Sequence, residues 1–204
     1  SFRDFLASHL ETGLIEAWDA KITTVGHSKR PDEHSWLEPR YVAQPRMTSL
    51  CKHLALGVDV RLGAAVDRIN RTEHGWRLSL DDGQYEKFDW VISTAPAEQT
   101  TALLAIDFSD VTFDPAFALM LALDKAPTFD GAVVKNSDID WIAVSSSKPG
   151  RHTQPSLVAH SSGQYAKRRF DDDQVDIQTE LENRVFELTG IRAQERQLHR
   201  WKYA

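Results

Sequence analysis

Apolar residues recur along the chain with two different periods, and each period predicts a different kind of element. Phe5, Leu6 and Leu10 fall at helical spacing near the start of the chain, and Gly13 can end that helix. A second helix is predicted after the three aspartates 171–173, with one apolar face formed by Ile177, Leu181, Val185 and Leu188. The first helix is expected to be a packing element.

Strand patterns dominate the middle of the chain. Residues 66–69 predict one strand, and residues 76–80 alternate between apolar and polar types, which is typical of a half-buried strand. The Asp-Asp-Gly sequence at 81–83 predicts a hairpin turn. The returning chain reaches Trp-Val-Ile at 90–92, a continuous apolar run that is typical of a strand buried on both faces.

The remaining segments predict a helix, several strands and a connection. Residues 48–54 favour a helix that Gly57 closes, and residues 58–62 favour a strand. Residues 23–39 lack an apolar period and predict a surface connection. Further strands are predicted at residues 117–123, 139–144, 157–160 and 197–203.

Composition narrows the class of protein. A length of 204 residues with 41% hydrophobic residues allows one large domain or two small ones. A net charge of −6 and a pI near 5.7 argue against nucleic acid or a membrane surface as a partner. The single cysteine, Cys51, lies in an apolar helical pattern that predicts a core position, and it fits a reducing cytoplasm.

Common catalytic and metal-binding motifs are absent from the sequence. The chain has no Gly-x-Ser-x-Gly, Walker loop, His-Glu-x-x-His or Cys-x-x-Cys motif. None of its eight histidines has a histidine partner four residues away. We therefore expect no metal site, and the sequence identifies no catalytic residue.

Several segments of the chain carry a resemblance to a known family. The strand, hairpin and apolar run between residues 66 and 96 form its general part, and the narrower part lies in residues 40–50 (RYVAQPRMTSL), 140–149 (DWIAVSSSKP), 160–165 (HSSGQY) and 199–204 (HRWKYA). The general part resembles the flavin amine oxidase superfamily, and all the segments together resemble its bacterial renalase-like FAD-dependent oxidoreductases.

The resemblance implies an α+β (α/β-like) fold with two kinds of domain. One is part of an FAD-binding Rossmann-type domain with a β-meander, and the other is a substrate domain with a mixed or antiparallel sheet and helices. The implied boundaries are 1–45 for a substrate-domain portion and connection, 46–106 for the FAD portion, and 107–204 for the substrate-binding domain.

The resemblance also implies that the chain is a fragment. In that family a Gly-x-Gly-x-x-Gly turn holds the FAD pyrophosphate, and a C-terminal segment contacts FAD. The 204 residues contain no Gly-x-Gly, and Arg46 stands where related sequences usually have glycine. We expect the chain alone to bind no FAD, to be inactive, and to self-associate through uncovered apolar surfaces.

Site residues follow from the resemblance, and each also has an ordinary structural interpretation such as a strand valine or a core aromatic. The implied cofactor-binding residues are Val66, Ser93, Thr94, Ala95 and Pro96. The implied substrate-binding residues are Tyr41, Gln44, Trp141, His160, Gln164, Tyr165 and Trp201.

The implied activity of the full-length parent is oxidation of isomeric dihydronicotinamides, NAD(P)H isomers, by O2 to NAD(P)+ and H2O2. A first alternative is an FAD-dependent amine oxidase of the same fold, so the expected partner is a small molecule, either a dihydronicotinamide or an amine. An alternative of another class is a non-enzymatic ligand-binding or interaction domain.

Overall fold

The computed structural model describes residues 2–26, 39–151 and 154–204, and the chain divides into two compact units. Unit 1 contains the described parts of residues 1–56 and 114–202 with residue 204, and unit 2 contains residues 57–113 and 203. The predicted α+β fold class is confirmed, since helices accompany both a mixed sheet and antiparallel sheets.

A six-stranded mixed sheet forms the centre of unit 1. The elements of this unit are α1 (Phe2–Glu11), β1 (Ile15–Ala17), β2 (Ile22–Gly26), β3 (Tyr41–Ala43), α2 (Thr48–Leu54), β7 (Ala116–Leu123), β8 (Gly131–Lys135), β9 (Ile139–Val144), a 3₁₀ turn (Ser145–Ser147), β10 (Ser156–Ser161), α4 (Gly163–Arg169), α5 (Gln174–Thr189) and β11 (Ala193–Trp201). The strand order is β11-β7-β10-β9-β8-β2, in which only β2 and β8 pair in parallel. β1 and β3 form a separate two-stranded antiparallel sheet.

The main core lies between this sheet and the helices α4 and α5. Alternation along β7 sends Phe117 and Leu119 to one face, where both are 0% exposed. They pack in one cluster with Leu181 and Val185 of α5. The sequence pattern of this helix is confirmed, because residues four apart lie on one side of a helix.

The ends of α5 also match their sequence signals. Asp173 is the N-cap residue, and its carboxylate accepts hydrogen bonds from the backbone N–H groups of Val175 at 2.8 Å and Asp176 at 3.3 Å. Gly190 ends the helix at φ +68°, a left-handed conformation that glycine adopts readily.

Unit 2 is built on a three-stranded antiparallel meander. Its elements are β4 (Val66–Thr72), β5 (Gly75–Leu80), β6 (Tyr85–Phe88) and α3 (Ala97–Leu104), with sheet order β4-β5-β6. Gly83 has φ +82° in the tight turn between β5 and β6. The strands and hairpin predicted between residues 66 and 83 are therefore confirmed.

Two predicted strands of unit 2 are wrong for the described chain. Residues 58–62 and 90–92 form no strand. Trp90 is 87% exposed and Ile92 is 88% exposed, although the apolar run predicts burial on both faces. Strand formation needs a neighbouring strand for its hydrogen bonds, and no described segment pairs with either stretch.

Two smaller predictions also need correction. The connection predicted at 23–39 includes residues 23–26, which belong to β2 because they pair with β8; residues 27–38 lie outside the described residues. Cys51 is exposed and not in the core, because no part of α2 is buried.

Candidate functional site

The candidate site lies on the face of the six-stranded sheet that points away from α4 and α5, which we call the open face. Successive side chains of a strand point to opposite faces, so Ala118 and Met120 point away from the core that contains Phe117 and Leu119. Residues paired directly across strands share a face. The strand register therefore identifies the other members of the open face.

Four residues form a row across the open face. His160 of β10 pairs with Trp141 of β9 on one side and with Ala118 of β7 on the other, and Ala118 pairs with His199 of β11. Adjacent strands are separated by about 4.8 Å, so the row extends over roughly 14 Å. Trp201 packs beside His199, with 4.3 Å between ring centroids. The row offers aromatic and imidazole groups around a small alanine.

Gly131 of β8 makes room for the indole ring of Trp141. A Cβ atom at Gly131 would lie 2.6 Å from Cδ1 of Ile22 and 2.9 Å from Cη2 of Trp141. Ile22 and Trp141 pack against a small second cluster that contains Trp18, Val42 and Ala143. This cluster holds one end of the row in place.

Positive charge lies close to the row. The ammonium of Lys148 lies 5.3 Å from the ring centroid of Trp18, whose indole Nε1 donates a hydrogen bond to Ser147 at 3.2 Å. Burial, followed by the charge of Arg151, lowers the pKa of Lys148. Partial burial, followed by the charge of Lys148, lowers the pKa of His160, which favours the neutral imidazole at neutral pH.

A cavity of about 580 Å³, which we call the arginine pocket, lies at the ends of β9 and β10. Its described lining residues are Pro45, Arg46, Met47, Ser145, Gly150, Arg151 and Ser156. Nε and Nη2 of Arg151 are buried and have no hydrogen-bond partner among the described residues. None of the described lining residues is a carboxylate.

Gln44 lies against the turn that carries Arg151. Its backbone N–H donates to the carbonyl of Leu14 at 2.9 Å, and its side-chain Nε2 is buried without a partner among the described residues. Gly150, at φ +68°, contacts this side chain so closely that a Cβ atom there would collide with Oε1 of Gln44.

The predicted substrate-binding residues occupy two sides of unit 1. Trp141, His160 and Trp201 lie on the open face, whereas Gln164 is exposed on α4. Tyr165 is 1% exposed in the main core, where its hydroxyl donates to Glu180 at 3.0 Å. Burial, followed by that hydrogen bond, raises the pKa of Tyr165. The structure therefore does not bring Gln164 and Tyr165 together with the row.

Tyr41, the remaining predicted residue, lies on β3, where it pairs with Ala17 of β1 and is half-buried. The sequence pattern did not identify Gly131 or Arg151, and His199 belonged to the 199–204 segment of the resemblance without being a predicted site residue. A Lys-Pro-Gly-Arg turn at 148–151 was the one available signal for a basic loop.

The predicted cofactor residues lie in unit 2. Val66 begins β4 and lines a cavity of about 300 Å³ together with Leu78, Leu80 and Phe88. Arg61 pairs with Asp59 and Glu86, which also line this cavity. The apolar wall and charged rim fit a planar ring such as the adenine of FAD.

Residues 93–96 are organised around the buried side chain of Thr100. The hydroxyls of Ser93 and Thr100 lie 2.7 Å apart, and Thr100 donates to the carbonyl of Ala95 at 3.0 Å. Pro96 is the N-cap residue of α3. Because Thr100 donates to Ala95, the Ser93 hydroxyl donates to Thr100 and can still accept a hydrogen bond, while Thr94 is exposed.

The residues present fit FAD in part. They supply an apolar wall for a ring, but the sequence contains no Gly-x-Gly turn that could hold a pyrophosphate. Among the described residues no three His, Cys, Asp or Glu side chains are grouped to hold a metal ion. Likewise, none of the helices in the described ranges is long and apolar enough to cross a membrane.

Comparisons with known proteins agree with the fold. Residues 39–136 match the family of flavin containing amine oxidoreductases. A protein from Exiguobacterium sp. 255-15 with a provisional assignment as a protoporphyrinogen oxidase is 18% identical with a TM-score of 0.65, and the match covers 79% of this chain and 40% of that one. An engineered putrescine oxidase is 14% identical with a TM-score of 0.59, covering 79% and 39%.

A third similar structure is a fatty acid isomerase from P. acnes that produces CLA. It is 15% identical with a TM-score of 0.56, and the match covers 74% of this chain and 38% of that one. The chain thus spans about two fifths of the length of these solved structures. Residues 39–136 are thus similar to the flavin containing amine oxidoreductases, and the chain shares the fold of these solved structures.

Proposed function

We propose that this chain is part of a renalase-like, FAD-dependent oxidase whose substrates are isomeric dihydronicotinamides. In the proposal unit 1 binds the substrate and unit 2 belongs to the cofactor domain, with Val66 and residues 93–96 contacting FAD. The observation that carries the proposal is the row of Trp141, His160, Ala118 and His199 on the open face.

The row suits a flat ring that bears a carboxamide. Trp141 offers an aromatic face for stacking on one side of His160, and the small side chain of Ala118 leaves space on the other side. A neutral His160 can both donate and accept a hydrogen bond, which matches the amide group of nicotinamide. In the proposal the protein therefore orients the ring and limits its contact with water.

The chemistry that FAD would supply in the parent enzyme is acceptance of two electrons as a hydride equivalent and their transfer to O2. The overall reaction consumes one dihydronicotinamide, one O2 and one proton, and it gives NAD(P)+ and H2O2. Hydride transfer from this substrate leaves no C–H proton for a side chain to remove. The proposal consequently requires positioning residues and no general base.

Amine oxidation in the same fold is the second candidate, and the family match supports it. An amine substrate is cationic before it is oxidised, so nearby carboxylates would favour its binding. Lys148 instead brings positive charge near His160 of the row, and none of the described residues that line the arginine pocket is a carboxylate. This charge favours a nucleotide over a polyamine.

Peroxide release by the full-length, FAD-loaded parent tests the proposal. We expect H2O2 from the 1,2- and 1,6-dihydro isomers of NAD(P)H and none above background from putrescine or benzylamine. Trp141→Leu is expected to raise KM by about tenfold through loss of stacking, while His74→Ala, on an exposed turn of unit 2, serves as the control. Peroxide from amines alone would overturn the proposal in favour of amine oxidation.

A further inference from the structure

In the arginine pocket, two nitrogens of one guanidinium have no hydrogen-bond partner among the described residues. A guanidinium has five N–H donors and no acceptor, and leaving buried donors unpaired costs free energy. Nε and Nη2 of Arg151 are both buried and unpaired among the described residues. These two nitrogens form the edge of a guanidinium whose parallel N–H groups can bind two oxygens of one phosphate or carboxylate.

The other polar groups of the pocket are also suited to an anion. Arg46 is a second basic lining residue, and the lining residues Ser145 and Ser156 carry hydroxyls. The segments that carry Ser145 and Ser156 are in direct contact, since the backbone N–H of Ser156 donates to the hydroxyl of Ser146 at 3.2 Å. With no carboxylate among the described lining residues, the local charge is positive.

Nearby groups strengthen the positive potential. The charge of Arg151, after burial, lowers the pKa of Lys148, so the two cationic side chains lie near each other. The backbone N–H of Arg151 donates to the carbonyl of Lys148 at 3.2 Å. The side chain of Gln44, whose Nε2 has no partner among the described residues, lies against Gly150 in the turn that carries Arg151. An anion in the pocket would offset charge that the described side chains leave uncompensated.

We propose that the arginine pocket is a phosphate-binding subsite that takes the phosphate of the nicotinamide nucleotide, with Arg151 as its principal ligand. The identity of the nucleotide rests on the proposed function, whereas binding of phosphate itself does not. The volume of about 580 Å³ accommodates a phosphate with part of its ribose. The subsite thus distinguishes phosphorylated substrates from the bare dihydronicotinamide riboside.

Calorimetric titration of the 204-residue chain with inorganic pyrophosphate, in a buffer free of phosphate, tests the subsite directly. We expect saturable binding with one site per chain. Arg151→Gln is expected to weaken it by about 10- to 100-fold, because a charge-assisted hydrogen-bonded pair is lost. Arg151→Lys should retain part of the affinity, since lysine keeps the positive charge but lacks the two parallel N–H groups of the guanidinium.

Arg192→Gln is the matched control, because Arg192 lies over the ring of Phe186 at the end of α5 and not in the pocket. Thermal unfolding of every variant shows whether it is folded. Equal pyrophosphate affinity in wild type, Arg151→Gln and Arg192→Gln would overturn the subsite, and so would absence of binding to the folded wild type.

Titrations with nicotinamide mononucleotide, nicotinamide riboside and ADP identify the source of the phosphate. We expect the mononucleotide to bind at least tenfold more tightly than the riboside, and Arg151→Gln to abolish that difference. Arg151-dependent binding of ADP and pyrophosphate without any preference for the mononucleotide would overturn the assignment to the nicotinamide nucleotide. These titrations measure binding and not oxidation. A negative result for the subsite can therefore be distinguished from a negative result for the proposed oxidase activity.

Discussion

At the scale of single residues, the protonation of His160 links the row to its surroundings. The imidazole keeps contact with solvent, yet partial burial lowers its pKa first and the charge of Lys148 lowers it further. A histidine with a lowered pKa binds fewer protons in the folded chain than in the unfolded chain. The free energy of unfolding should therefore decrease as the pH falls through about 6.5 towards the folded pKa.

Replacing Lys148 by glutamine tests whether the charge of Lys148 lowers the pKa of His160. We expect the pKa of His160 to rise in Lys148→Gln, because one nearby positive charge is removed, and the loss of stability on acidification to diminish. An NMR titration of the His160 ring measures the pKa, and urea unfolding at several pH values measures the stability. Lys125→Gln, on an exposed loop, should change neither quantity; identical His160 titrations in Lys148→Gln and wild type would contradict the account.

The sequence identified some residues of the site and not others for a definite reason. Trp141 and His160 stand out by residue type, but their pairing depends on the register between β9 and β10. Tyr165 has the same aromatic character, yet the position of α4 places it in the main core. Arg151 carries no sequence signal of its own, because its burial depends on segments more than 100 residues apart in the chain, such as 44–46 and 150–151.

At the scale of elements, β2, β8 and β9 together determine the orientation of Trp141, and the local sequence pattern predicted only some of the elements. The local pattern was sufficient for the apolar face of α5 and for the positions of the strands β5 and β7. It failed for β2, because Ile-Thr-Thr-Val-Gly shows no apolar alternation and becomes a strand only through parallel pairing with β8. It also failed at residues 90–92, where apolar character predicts a strand that has no described neighbour.

Gly131→Ala tests this packing. The added methyl would come within 2.6 Å of Ile22 and 2.9 Å of Trp141, so both side chains have to move. We expect a destabilisation of about 1–3 kcal/mol from overpacking and an altered near-ultraviolet circular dichroism spectrum from the displaced indole.

Gly163→Ala is the matched control, because Gly131 and Gly163 both lack a positive φ and the new methyl at Gly163 meets only the carboxylate of Asp114 at 3.2 Å. It should leave the spectrum unchanged. An unaltered spectrum and unaltered stability in Gly131→Ala would show that Trp141 does not depend on the space above β8.

At the scale of the whole molecule, apolar exposure in unit 2 is the most unusual property of the chain. Leu62, Trp90 and Ile92 are each at least 87% exposed. Large exposed apolar side chains close to unpaired backbone favour association with another chain. The net charge of −6 opposes association only weakly at physiological salt, where charges are screened within about 8 Å.

We therefore expect the 204-residue chain to self-associate in a concentration-dependent manner, as measured by sedimentation velocity. The double variant Trp90→Ser and Ile92→Ser should lower the association, because it removes the two most exposed groups of the 90–92 segment. Val175→Ser, at a residue 61% exposed on α5, is the control and should behave like wild type. A single monomeric species at all concentrations would contradict this expectation.

The central claim is that the open face belongs to an oxidase of dihydronicotinamides. Anaerobic stopped-flow measurement of flavin bleaching in the full-length, FAD-loaded parent tests it most directly, because it observes hydride transfer separately from reoxidation by O2. The account predicts rapid bleaching by the 1,2- or 1,6-dihydro isomer of NAD(P)H and a weaker apparent affinity for that isomer in Trp141→Leu. Bleaching by amines, with no bleaching by either isomer, would contradict it.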